Sequence, residues 1–268
     1  RHKDLKEIKF SDLWNTHGVF TTMRLLGKPG KILFFKEHIN NLIRSLKIYK
    51  IQKKNLKKNI LHLINLNFEK NKKYDHLLRI ASNKKMISIS LRKRFKTKKN
   101  FILHLINYKR IQAMYKNLKY RKILSILNKM DTTKNDIALY KKKKILETGT
   151  SNLLFVGNNK IYSPISGFYK GTTLKFFIKK IKILKKNITI NSLNEYDEII
   201  VVGSGKGVTS VSVIKNTKWR RKSFKYYRIL LKIYQQAVMK CPRYNGWSII
   251  LSVLKTLTIK GEKSYVNC

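Results

Sequence analysis

The sequence predicts a mixed α/β protein built from two units joined by a short connector, and three observations carry that expectation. Runs of β-branched and aromatic residues come in pairs separated by turn residues, the pattern of hairpins. Between them lie stretches whose apolar residues recur at helical spacing. Near the middle, Arg92–Asn100 is a basic run with little apolar content, which reads as a solvated loop. The boundary is therefore expected just beyond it, giving units 1–106 and 107–241 and a terminal extension, 242–268, without an assigned role. Mixed strand lengths and frequent hairpins argue against a doubly wound parallel sheet.

Trp14–Arg24 reads as a strand, with Val19, Phe20, Thr21 and Thr22 at its centre. The turn Lys28–Gly30 leads to a second strand, Lys31–Phe35. In Glu37–Tyr49 the apolar positions Ile39, Leu42, Ile43 and Leu46 mark an amphipathic helix, and Asn55–Leu66 repeats the pattern. Strands follow at Leu77–Ala81 and Met86–Leu91, and Phe101–Ile106 is expected to be the last strand of the first unit. In the second unit Asn117–Lys129 reads as a helix. Strands are expected at Ile137–Tyr140, Ile145–Glu147, Leu153–Val156 and Lys160–Tyr162, with Gly157–Asn159 as a hairpin turn. A helix at Thr172–Leu184, a short strand at Ile188–Ile190 and a strand at Ile199–Gly203 come next. The last strand runs into a glycine-rich loop, and Ser223–Met239 is the final helix.

Composition bounds the function. With 268 residues, 43% of them hydrophobic, the chain has enough apolar material for a real core. Lys and Arg number 61 against 13 acids, a formal charge of +48. Such a field attracts RNA or other polyanions, yet the basic residues are spread throughout and no RNA-binding motif accompanies them. Drift in an AT-rich coding sequence is the preferred explanation, with RNA association as the competing one. Cys241 and Cys268 form neither a metal-ligand spacing nor a disulfide framework, which points to a reducing compartment, cytoplasmic or organellar. No apolar run approaches the roughly 18 residues of a membrane span, so no membrane partner is expected. Because the chain opens on Arg1, a removed leader or a partial sequence is expected.

An ordered series of short segments carries the chemistry. Gly18-Val19-Phe20-Thr21-Thr22-Met23-Arg24 is followed by His38-Ile39-Asn40-Asn41-Leu42 with Ser45, and then by Lys116-Asn117-Leu118-Lys119-Tyr120. After these come Glu147-Thr148-Gly149-Thr150-Ser151-Asn152, Ser163-Pro164, Gly171-Thr172-Thr173, Asp197-Glu198-Ile199 and Gly203-Ser204-Gly205-Lys206-Gly207-Val208. In this order they resemble the class IV aminotransferases, the fold-type IV pyridoxal phosphate enzymes that include branched-chain and D-amino acid aminotransferases and aminodeoxychorismate lyases. The resemblance implies a small N-terminal α/β domain, a larger C-terminal pseudo-barrel domain, a homodimer and pyridoxal phosphate as cofactor.

It also implies roles. Lys116 would supply the amine that condenses with the cofactor aldehyde and then moves the substrate proton. As one of very many lysines it is selected by position alone. Glu147 would keep the pyridine nitrogen protonated, the plain alternative being a surface partner for the neighbouring lysines. Thr150 would pack against the ring, while Asn152 reads as fixing its turn. Thr172 and Thr173, opening a helix after Gly171, would bind the phosphate. Ser204 would add a hydroxyl, and the Gly205 backbone would approach cofactor or substrate. Tyr120 is either core or a neighbour of the cofactor's phenolic oxygen, and Lys119 either depresses the Lys116 pKa or points to solvent. One departure stands out. Relatives carry a phosphate-binding arginine where this chain has Asn41, a neutral amide that cannot replace a charged fork, and Arg44 lies one turn further on. No metal ligands are expected. The implied activity is amino transfer between a small amino acid and a keto acid. A 4-amino-4-deoxychorismate lyase and a retired, basic RNA-associated scaffold are the alternatives.

Overall fold

A computed structural model describes residues 12–69 and 71–244, in which two sheets meet along one junction. The first sheet is antiparallel, in the order β2 (Lys31–Ile32), β1 (Gly18–Gly27), β3 (Tyr74–Asn83) and β4 (Ile87–Lys93). Strand β1 pairs with β3 along its whole length, from Gly18 opposite Asn83 to Gly27 opposite Tyr74. Alternation along β1 turns Val19, Met23 and Leu25 to a core shared with α1 (Phe35–Ile48) and α2 (Leu56–Leu66). The helical spacing of Ile39, Leu42 and Leu46 brings that stripe of α1 onto the same core.

Eight strands form the second sheet, in the order β10 (Leu184–Lys186), β9 (Lys160–Pro164), β8 (Asn152–Gly157), β11 (Glu198–Gly203), β12 (Gly207–Ile214), β5 (Phe101–Asn107), β6 (Asn135–Lys141) and β7 (Lys144–Thr148). Parallel and antiparallel neighbours are mixed, with β5 parallel to both β12 and β6. The sheet curls until its ends meet. Beyond β10, Ile188 O accepts from Ile145 N at 2.8 Å and Ile190 N donates to Lys143 O at 2.9 Å, which closes a pseudo-barrel on β7. Phe101, Phe155, Val201, Val211 and Trp219 share one buried core in this sheet. Another of its cores takes in α4 (Thr172–Ile178) and α5 (Lys225–Met239). The first turn of α5 is held by Glu198, whose carboxylate oxygens accept from Tyr226 N and Tyr227 N at 2.8 Å each. The β8–β9 hairpin turns through Asn158 and Asn159, at φ 51° and 55°.

Several elements differ from expectation. The helix read at Asn117–Lys129 starts only at Arg121, as α3 (Arg121–Leu127), because the residues before it pair with β1. Phe20 N donates to Lys116 O and Leu118 N to Gly18 O, both at 2.9 Å. The strand expected at Lys31–Phe35 is two residues long, since Phe34 turns the chain at φ 56° into α1. The helix opened at Thr172 stops at Ile178, short of Leu184. The strand Phe101–Ile106, read as the last of the first unit, is hydrogen-bonded into the second sheet as β5. The glycine-rich loop after Ile199–Gly203 is short, and Gly207–Ile214 is a further strand for which no expectation was drawn. The start of the terminal extension returns to the first unit, where Tyr244 N donates to Gly30 O at 2.8 Å. Residues 245–268, with Cys268, lie outside the described residues. Among the described residues no helix is long and apolar enough to cross a membrane.

Candidate active site

At the junction of the two sheets a cavity takes in Lys116, Glu147, Tyr120, His38, Thr172 and Ser204. Lys116 stands on the β5–α3 connector, and its pairing with β1 fixes the direction of the side chain. Its Nζ lies 5.1 Å from the ring centre of Phe20 and 5.7 Å from that of Tyr169. Among the described residues it forms no ion pair. Burial, then the Arg110 charge, draws this amine down to about 8, with Glu147 opposing and Arg92 adding to the effect.

Glu147, next to last in β7, lines the same cavity and is 4% exposed. Sequence reasoning missed its partner. Arg110, itself 3% exposed, donates from Nε to Glu147 Oε1 at 2.7 Å and from a terminal nitrogen to Oε2 at 3.2 Å. Tyr169 N adds a third donor to Oε2 at 3.3 Å. Burial pushes the Glu147 carboxyl up from its usual range, and Arg110 opposes that push. An arginine keeps its proton at any ordinary pH, so its charge favours the ionised form of Glu147 against burial. A carboxylate has about four acceptor sites. The three donors therefore leave roughly one for a group in the cavity. Arg110 also donates to Ala113 O at 2.8 Å and Tyr115 O at 3.1 Å, clamping the turn that delivers Lys116.

The opposite end of the cavity is polar and centred on His38. Its Nδ1 lies 2.8 Å from Thr21 Oγ1 and 3.4 Å from Thr172 Oγ1, and its Nε2 lies 3.1 Å from Ser204 Oγ. Burial, then the charges of Lys116 and Lys175, holds this imidazole at about 3, so the ring is neutral near pH 7. Thr173 is 1% exposed, lines the same cavity, and its Oγ1 has no hydrogen-bond partner among the described residues.

The remaining sequence-derived residues divide. Thr150 lines the rim, with its hydroxyl donating to Asp136 Oδ2 at 3.1 Å. Tyr120 is buried against Phe20 and Trp14 yet lines the cavity, and burial raises its phenol to about 12. Gly205 is not brought in. Its carbonyl turns toward the first sheet and accepts from Arg94 Nε at 2.8 Å. Lys119 is exposed, pointing to solvent rather than at Lys116. Asn152 does more than fix its turn, a task that falls to Thr148 Oγ1, which accepts from Ser151 N at 2.8 Å. Asn152 instead spans to the loop before α4, donating to Tyr169 O at 2.6 Å and accepting from Gly171 N at 3.0 Å. A Cβ at Gly171 would come within 2.8 Å of Asn152 Oδ1, so a side chain there would push the Asn152 amide aside.

The family model described as amino-transferase class IV matches residues 18–214. A branched-chain aminotransferase from Thermoproteus uzoniensis, solved with norvaline, superimposes with a TM-score of 0.70 at 19% identity, over 86% of this chain and 89% of that one. A 4-amino-4-deoxychorismate lyase structure from Legionella pneumophila gives 0.72 at 17% identity, over 88% and 97%. The branched-chain aminotransferase of Thermobaculum terrenum gives 0.68 at 15%, over 87% and 88%. No curated protein sequence matches the chain.

Proposed function

The chain belongs to the class IV aminotransferase family, and from that membership we propose that it is a working pyridoxal phosphate enzyme moving an amino group between a small amino acid and a keto acid. Among the matched structures, one branched-chain aminotransferase carries pyridoxamine 5′-phosphate. The residues here fit the phosphorylated pyridine aldehyde. A depressed amine and a buried carboxylate with one acceptor site left serve the aldehyde and the ring nitrogen. The partnerless Thr173 hydroxyl, with Thr172 and Ser204, offers hydrogen-bond donors for a phosphate.

The observation that carries the reading is that Lys116 and Glu147 line one cavity although 31 positions of chain separate them. When bound, the cofactor supplies an aldehyde for the amino group and a ring that withdraws electrons from the substrate α-carbon. The chain does the rest. Lys116, at about 8, is partly unprotonated near neutral pH and serves both as nucleophile and as the base that holds the α-proton. Glu147, fixed by Arg110, would accept a hydrogen bond from the protonated ring nitrogen without rotating away. His38 stays neutral and orients the hydroxyls of Thr21, Thr172 and Ser204.

The test is spectroscopic. Wild-type protein titrated with pyridoxal phosphate should gain a band near the violet edge of the visible spectrum, which a small amino acid then bleaches as a keto acid appears. Lys116→Ala should show neither change. Absence of the band in wild type at saturating cofactor refutes the proposal.

A further inference from the structure

Two cations aim at one neutral amide beside the polar end of the cavity. Lys175, on α4, donates to Asn41 Oδ1 at 2.8 Å, and Arg44, one turn along α1, donates to the same oxygen at 3.0 Å. The other end of that amide, Asn41 Nδ2, donates to Thr172 Oγ1 at 3.2 Å. Two hydrogen bonds therefore link the Lys175 ammonium to a hydroxyl of the cavity wall. Asn41 is 8% exposed, so the bracket is fixed while the cations reach it on flexible stems.

The electrostatics of this cluster are incomplete. Among the described residues neither Lys175 nor Arg44 forms an ion pair. Burial first, then Arg44, Lys170 and Lys179, presses the Lys175 amine below its usual range. The Lys175 charge also acts on His38, so its field extends into the cavity. Like charges gathered on an uncharged oxygen, beside a buried hydroxyl that lacks a partner, leave an anion wanting.

We propose that Lys175 and Arg44 together bind the phosphate of a phosphorylated ligand at the Thr172–Thr173–Ser204 end of the cavity, moving from the Asn41 oxygen onto the anion. The proposal rests on the cofactor reading above and names the residues that supply its phosphate charge. It also accounts for a neutral residue at position 41, because the charge arrives from one turn along α1 and from α4.

The experiment compares pyridoxal phosphate with pyridoxal, which lacks the phosphate, in the full chain. Affinity is read from the visible band, and folding from circular dichroism. Lys175→Met and Arg44→Met should each weaken pyridoxal phosphate about 10-fold and the double variant about 100-fold, the loss of one and two charge-assisted bonds. Pyridoxal affinity should change less than about twofold in all three, and inorganic phosphate should compete less well in the double variant. Lys179→Met controls for bulk charge and should match wild type, while Asn41→Arg in the double-variant background should restore binding. A double variant that binds pyridoxal phosphate like wild type overturns the inference. So does parallel loss of pyridoxal, or an equal loss in Lys179→Met. A wild-type protein that gives no band with either aldehyde refutes the cofactor reading itself, and that outcome is distinct from the others.

Discussion

Replacing Arg110 with methionine removes one half of a buried ion pair and leaves the other half in place. The two side chains are 1% and 6% exposed, so water cannot stand in for the guanidinium. Breaking such a pair from one side costs about 3–5 kcal/mol, because a carboxylate remains buried without compensation. The carbonyls of Ala113 and Tyr115 lose their donor as well, at about 1 kcal/mol each. The loss is a large share of the roughly 5–15 kcal/mol that a domain possesses. Urea unfolding measures it. The partner test is Arg110→Met with Glu147→Gln, which removes both charges and should recover about 2–3 kcal/mol, since a neutral pair carries no charge to desolvate.

The pH dependence of this variant has a definite sign. Burial already raises the Glu147 carboxyl, and without Arg110 its main opponent is gone. A group with a folded pKa above its unfolded value of about 4.3 contributes stability that is present below that value and lost as pH rises through the folded pKa. The deficit of Arg110→Met relative to wild type should therefore be smaller near pH 5 than near pH 8. A deficit below about 1 kcal/mol at neutral pH, or one that does not change with pH, would refute the claim that this pair anchors the site.

Three further outcomes are expected. Reductive labelling of Lys116 by a small aldehyde should titrate with a midpoint near about 8, and the midpoint should rise in Arg110→Met; a wild-type midpoint near 10.5 contradicts the burial argument. Glu198→Ala should cost about 2–4 kcal/mol in thermal unfolding, since two amides of the first turn of α5 lose a charged acceptor, and an unchanged melting temperature contradicts it. Gly171→Ala should displace Asn152, release the loop at Tyr169 and weaken cofactor binding measured by absorbance, although its backbone at φ −66° suits alanine. Unchanged binding in that variant would show that the loop tolerates the shift.

Hairpins and amphipathic helices were legible because their signals are local: β8 and β9 with their Asn158-Asn159 turn, and α1 with its apolar stripe. Where distant pairing competes with local pattern, the pattern loses. Leu118 fits an amphipathic helix, yet its amide bonds to Gly18 O and the helix starts later. Strand β12 carried Val208, Val211 and Val213 among serines and threonines, a signal hidden by the glycines before it. Lys116 and Glu147, singled out by their place in the ordered segments, both line the cavity. Arg110 and Lys175 were not singled out, since nothing local marks them among 61 basic residues and their partners lie 37 and 134 positions away. The Arg94 bond to the Gly205 carbonyl was hidden as well, because a loop residue declares no direction until its neighbours do.

The charge imbalance sharpens the case for a built site. In a chain with a formal charge of +48, every carboxylate could satisfy itself at the surface beside a lysine. Asp136, Glu147 and Glu198 are instead 0%, 4% and 1% exposed, each at the desolvation cost of a buried charge. Each has named partners. Glu147 meets Arg110, Glu198 holds the start of α5, and Asp136 accepts from Ile137 N and Thr150 Oγ1 with Lys206 Nζ 3.7 Å away. A surface shaped only to attract polyanions needs none of these. Counterion release makes such attraction fall steeply with salt, whereas the Arg110–Glu147 pair is shielded from salt by burial. The basic exterior and the cavity are therefore separate properties of one chain. Raising ionic strength should strip polyanions from the surface while leaving the reactivity of Lys116 unchanged.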